Sequence, residues 1–231
     1  MIRRNRPISL EKIRLLIFDL DGTLVDSRLD LVNSINATLR HLGKPLLPEE
    51  VIASYVGDGA PMLVRRSLGD PDDENYVQSA LEFFLLYYRE HKLDHTYVYP
   101  GVKEALDAIH SSRNGDMSMC VLSNKPVVPS RAIVDTLGLG QYFFQVYGGN
   151  SFHTKKPDPA GAQALLQEAG CRPEEALIVG DSHVDVLTAR NAGTYCLGVS
   201  YGFAPHTFVE APPDVLVESP EEIAEVLVAR S

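Results

Sequence analysis

The chain has 231 residues, 45% hydrophobic and 23% charged, with 17 Gly and 15 Pro. That is ordinary globular usage with room for one large or two modest domains, and it excludes collagen-like, fibrous and disordered classes. Twenty-one Lys and Arg against 31 Asp and Glu give a formal net charge of −10, which repels nucleic acid and anionic membrane, so an anionic ligand has to meet locally placed positive charge.

The longest apolar run, residues 83–88, is far too short to span a bilayer, and no signal-type stretch follows the basic start Arg3, Arg4, Arg6. The expectation is a cytoplasmic protein with neither nucleic acid nor membrane as partner. Cys120, Cys171 and Cys196 are an odd number without metal-finger spacing, so free thiols are expected.

In chain order, the first strand is residues 15–18, followed at once by Asp19-Leu20-Asp21-Gly22-Thr23. The next strand begins only near residue 117. A parallel crossover needs about a dozen residues, and the excess of about 70 has to carry structure of its own. Its pattern is helical: Val32, Ile35, Leu39 and Leu42 trace one stripe, and Leu81, Phe84, Leu85 and Tyr88 another. His91 and His95 share a helical face only if that helix persists, and without a third ligand they read as a solvated helix end rather than a metal site.

Pro100-Gly101 marks the return to the sheet. Helical faces follow at Val102, Ala105, Leu106, Ile109 and at Ala162, Leu165, Leu166, Ala169. Strands fall at residues 117–122, 143–147, 176–179, 195–199 and 215–217, and Gly138, Gly170 and Gly193 read as helix stops. Strands alternating with helices, and apolar without period-two polarity, predict an α/β fold with a doubly wound, Rossmann-like parallel sheet covered on both faces. The expected organisation is a catalytic core of residues 1–25 and 97–231 with an inserted helical cap of residues 26–96, hinged near Asp26 and residues 97–101.

Ligands of such sheets bind beyond the carboxyl ends of the strands. There the sequence places Asp19 and Asp21, Ser123-Asn124-Lys125, and Gly180-Asp181-Ser182-His183-Val184-Asp185, with Lys155-Lys156-Pro157 before a helix start. Any one of these strings alone is an ordinary turn, cap or solvated surface; their joint occurrence argues for a site. Acids two apart plus a third from another strand attract a hard, oxygen-seeking cation such as Mg²⁺. His183 reads as a bland rim residue.

This layout resembles the haloacid dehalogenase superfamily of aspartate-nucleophile hydrolases over nearly the whole chain. Residues 18–27 are similar to its first motif, Leu122-Ser123-Asn124 to its second, Lys156-Pro157 to its third and Gly180-Asp181 with Asp185 to its fourth. The insertion corresponds to the helical cap of one branch. Within that branch, Tyr99-Pro100-Gly101-Val102, Ser123-Asn124-Lys125-Pro126, Tyr147-Gly148-Gly149, residues 156–159 and residues 56–60 are similar to phosphoglycolate phosphatases.

The resemblance implies a Mg²⁺-dependent phosphatase acting on a small phosphorylated metabolite, with 2-phosphoglycolate the expected ester. Asp19 would attack phosphorus to form an aspartyl-phosphate, and Asp21 would act as general acid and then base. Asp19, Asp181 and the backbone carbonyl of Asp21 would hold the metal. Ser123 and Lys156 would bind phosphoryl oxygens, with Asn124 and the backbone near Gly22 and Thr23 completing the pocket. Asp185 would orient metal-bound water or Lys156.

A substrate carboxylate would need a cation from the cap, for which Arg65 and Arg66 are candidates, exposed helix charges being the alternative. The competing readings are a sugar phosphomutase, a phosphonate hydrolase using Lys44 or Lys92, and a phospho-aspartate switch or binding module without turnover.

Overall fold

The computed structural model describes residues 2–112 and 117–228. Its main sheet is built on β2 (Leu15–Phe18), β5 (Ser118–Leu122), β6 (Gln145–Tyr147), β7 (Ala176–Gly180), β8 (Tyr195–Val199) and β9 (Val215–Val217). With β1 (Arg3–Arg4) at one edge, the order is β1-β9-β8-β7-β2-β5-β6. Every pairing is parallel except β1 with β9. The chain winds from β2 to β5 and β6, then crosses back to β7 on the other flank of β2. The reversal point therefore lies among the carboxyl ends of β2, β5 and β7, where open parallel sheets bind ligands.

Both faces are covered, as the uninterrupted apolar strands require. Leu16 and Phe18 point into one buried cluster with Val102, Leu106 and Ile109 of α5 (Val102–Ser111), Ile133 and Val134 of α6 (Val127–Thr136), and Ile223 and Leu227 of α9 (Pro220–Val228). Leu15 and Ile17 point into the other, with Ala162 and Leu165 of α7 (Ala160–Ala169) and Val186 and Ala189 of α8 (His183–Ala192). Gly170 and Gly193 end α7 and α8 in left-handed conformation.

Between β3 (Val25–Asp26) and β4 (Tyr97–Val98), which pair antiparallel, lie α1 (Arg28–His41), α2 (Glu49–Ala53), α3 (Ala60–Ser67) and α4 (Glu74–His91). They enclose a third cluster including Val32, Ile35, Leu39, Ile52, Leu63, Phe84 and Tyr88. Leu85, placed in the buried stripe by its spacing, is 40% exposed instead; Val77 and Ala80 continue the buried face of α4. The helix stops at His91, which pairs with Asp94 at 2.7 Å, while the backbone N–H of His95 donates to Asp30. The two histidines therefore share no helical face.

The strand expected over 143–147 is shortened to Gln145–Tyr147, because a one-turn 3₁₀ helix, Gly140–Tyr142, precedes it and Phe143 packs its ring against Phe18. Cys120 and Cys196 are buried and Cys171 partly so, all as free thiols. Among the described residues, no helix is long and apolar enough to cross a membrane.

Candidate active site

Asp19 follows β2 directly, and the chain then turns tightly: Gly22 N–H donates to Val25 O, and the N–H groups of Thr23, Leu24 and Val25 all donate to Leu20 O. The turn needs Gly22 in left-handed conformation, and a Cβ there would sit 2.3 Å from Asp181 Oδ2. These bonds correct two expectations. Gly22 and Thr23 do not offer their N–H groups to a ligand, because the turn consumes them, and Thr23 is buried away from the cavity.

Four elements converge on this turn. Lys156 Nζ lies 3.0 Å from Asp19 Oδ1 and 2.7 Å from Asp185 Oδ1. The other oxygen of Asp185 accepts from Ser182 N–H at 3.2 Å and Ser182 Oγ at 2.8 Å, a capping box that starts α8. Gly180 allows this approach: a Cβ there would fall 2.1 Å from Asp185 Cγ. Asp181 Oδ2 accepts from the N–H groups of Phe203 at 2.6 Å and Ala204 at 3.2 Å, in the segment after β8.

Asp21 is turned away from this group. Both of its oxygens lie 3.0 Å from Lys125 Nζ, and Ser27 Oγ donates to Oδ1 at 2.5 Å. The Lys125 ammonium also stands 4.7 Å from the centroid of the Tyr88 ring on α4. Ser123 lines the cavity, its Oγ accepting from Lys125 N–H at 3.3 Å. Asn124 Nδ2 donates to Gly57 O at 3.0 Å and to Lys156 O at 3.1 Å. Lys155 Nζ donates to Asp58 O, so the insertion's loop at residues 57–59 is tied to the sheet side.

The electrostatics follow from crowding acids in a buried place. Burial, and then the charges of Asp185 and Asp19, push Asp181 up to about 8. Burial likewise raises Asp19 to about 6 against the opposing pull of Lys156. For Lys156 and Lys125 burial works downward, but Asp185 and Asp19 around the first, and Asp21 with Tyr88 around the second, outweigh it and both ammonium groups are held protonated, above the ordinary lysine value.

Oxygens of Asp19, Asp181 and Asp185 lie within 4.8 Å of one another. Asp185 has both oxygens engaged already, whereas Asp181 keeps Oδ1 without a donor among the described residues. Four carboxylates, Asp19, Asp21, Asp181 and Asp185, face two ammonium groups. A hard divalent cation fits both the all-oxygen donor set and the two negative charges left over when all four acids are ionised.

The structure thus brings together Asp19, Asp21, Ser123, Asn124, Lys156, Asp181 and Asp185. It does not bring in Arg65. Ala60 and Leu63 of α3 face the cavity, while Arg65 lies about 200° around the helix from Leu63. Its guanidinium is held by Pro71 O at 2.8 Å and Glu74 at 2.5 Å. Arg66 is paired with Asp58 at 2.6 Å. Sequence reasoning gave no role to Lys125, Ser27 or the N–H groups of Phe203 and Ala204. Lys125 was within reach, three residues past a strand's carboxyl end; the others answer only to three-dimensional proximity.

Residues 16–199 match the haloacid dehalogenase-like hydrolase family. A phosphoglycolate phosphatase of Chromobacterium violaceum is 37% identical over 224 residues, covering 95% of this chain and 99% of that protein. One from Pseudomonas syringae pv. syringae is 39% identical over 82% of this chain and 70% of its own length. Among solved structures, a protein from Haemophilus somnus described as a predicted phosphoglycolate phosphatase superposes with a TM-score of 0.85 at 30% identity, covering 93% and 98% of the two chains. The chain belongs to the haloacid dehalogenase-like hydrolases.

Proposed function

We propose that this hydrolase is a Mg²⁺-dependent phosphatase of small phosphate monoesters, with 2-phosphoglycolate as substrate, working through an aspartyl-phosphate on Asp19. Support for phosphoric monoester hydrolysis comes from the family and from relatives named phosphoglycolate phosphatase. The observation that carries the mechanism is the separation of the two acids: Asp19 sits with Lys156 and Asp181, while Asp21 is held apart by Lys125 and Ser27.

An Asp19 carboxylate oxygen attacks phosphorus as the ester P–O bond breaks, and the departing alkoxide takes the proton of Asp21, which has to enter this step as the neutral acid, one Lys125 N–H giving way to its own O–H. In the second step Asp21 removes a proton from water, whose oxygen attacks phosphorus and releases the Asp19 carboxylate. Lys156 and the Ser123 hydroxyl bind the phosphoryl oxygens, and Asp185 keeps Lys156 aimed. Asp19 and Asp181 would hold the metal, which supplies charge neutralisation between a dianionic ester and a carboxylate nucleophile. The helical insertion closes the cavity over residues 19–21 and reduces access of bulk water.

The test is phosphate release from 2-phosphoglycolate and p-nitrophenyl phosphate, with Mg²⁺ and with EDTA, for the native chain and Asp19→Asn. Turnover that needs the metal and disappears in the variant is the expected result; metal-independent turnover retained by Asp19→Asn would refute the reading.

A further inference from the structure

The cavity above Asp19 and Asp21 contains a second polar feature besides the phosphoryl pocket. Its wall on the insertion side is apolar, formed by Leu31, Val56, Leu63, Phe84 and Leu85. Among its described lining residues Lys125 is the one Lys or Arg. Facing it from α4 is Tyr88, 4% exposed, whose hydroxyl is buried and, among the described residues, has no hydrogen-bond acceptor. The nearby ammonium can only donate, so the hydroxyl proton has no acceptor there. A buried donor left without an acceptor is destabilising and gains from a ligand that accepts its proton. Burial lifts the phenol to about 12, so it remains a donor at neutral pH.

We propose that the Tyr88 hydroxyl and the Lys125 ammonium form the subsite that receives the carboxylate of the substrate, one donor from the helical insertion and one from the sheet side. This rests on the phosphatase reading and names the residues that set its specificity. The geometry limits the distance between the two anionic groups. The leaving oxygen must come within hydrogen-bond reach of Asp21 to take its proton, and Lys125 Nζ lies 3.0 Å from both oxygens of Asp21. A carboxylate attached directly to the ester carbon then falls beside Lys125, whose third N–H is not needed by Asp21. Polyhydroxy leaving groups meet Leu63, Phe84 and Leu85 instead, where their hydroxyls find no partners.

Tyr88→Phe removes the donor and little else, because the ring stacks on Phe84 with centroids 5.7 Å apart and Phe keeps that contact. The experiment compares kcat/KM for 2-phosphoglycolate with that for 2-hydroxyethyl phosphate, which replaces the carboxylate by a hydroxyl-bearing carbon, in the native chain, Tyr88→Phe and Lys125→Gln.

The native chain is expected to prefer the carboxylate ester. Each variant should lower that preference about tenfold or more, in Tyr88→Phe chiefly through KM and with a denaturation midpoint no lower than that of the native chain. A preference left intact in Tyr88→Phe, or both esters losing equally, overturns the subsite. A native chain that hydrolyses both esters equally also overturns it while leaving the phosphatase reading standing; one that hydrolyses neither with Mg²⁺ overturns both.

Discussion

Lys156 is held between two acids, and its contact with Asp185, at 2.7 Å, is closer than the 3.0 Å to Asp19. The Asp185 side chain is 0% exposed and also receives both donors of Ser182. One carboxylate therefore starts α8 and fixes Lys156, the lysine proposed to bind the phosphoryl group, linking the fold of the fourth motif to the placement of the third. Asp185→Asn keeps the shape and removes the charge. Turnover is expected to fall about 10–100-fold, with a loss of about 3–5 kcal/mol in urea unfolding, because Lys156 loses a buried counter-charge. Unchanged kinetics would show that Asp185 serves the helix start alone.

Gly180 tests the same approach from the backbone. An added Cβ would overlap Asp185 Cγ at 2.1 Å, so Gly180→Ala must push Asp185 or β7 aside. Phosphatase activity should fall more than tenfold, accompanied by destabilisation of about 1–3 kcal/mol.

The metal-free protein should lose stability as pH rises. Asp181, raised to about 8, and Asp19, raised to about 6, bind more protons folded than unfolded, where both titrate near 3.8. That contribution is full below the unfolded value and is lost as pH climbs through 6 and then 8. The Tm in EDTA should be lower by about 3 °C or more at about pH 8.5 than at about pH 6. Mg²⁺ held by these acids, as proposed, would compete with their protons, so its stabilising shift should grow over the same range. Asp181→Asn should flatten both trends; a Mg²⁺ shift that shrinks with pH would contradict the assignment.

Asp30 carries the return of the insertion to the sheet. It is 1% exposed and accepts from the N–H groups of His95 and Thr96 and from the Thr96 hydroxyl. Asp30→Ala strands these donors, and chemical denaturation should record a loss of about 3 kcal/mol. A loss below about 0.5 kcal/mol would mean that water replaces the carboxylate.

Much of this architecture was legible because strand burial leaves a direct mark. Leu15–Phe18 and Ala176–Gly180 are apolar without alternation since helices cover both faces, and the acids beyond their carboxyl ends follow from that placement. Edge elements leave no such mark: Arg3–Arg4 is an exposed strand pairing only with β9, and β3 and β4 are two residues each. Arg65 was misplaced because spacing after a glycine loop does not fix which side of α3 faces the cavity. Lys125 and Tyr88 meet although 37 positions apart in the sequence, a proximity that the packing of α4 over the sheet creates and that local pattern does not encode.

The covalent step is the centre of the account, and rapid acid quench of a single turnover followed by peptide mass analysis tests it most directly. One phosphoryl group on the peptide containing Asp19, transient in the native chain and absent in Asp19→Asn, is the expected result. Product phosphate formed at full rate with no label on that peptide at any time point would contradict it.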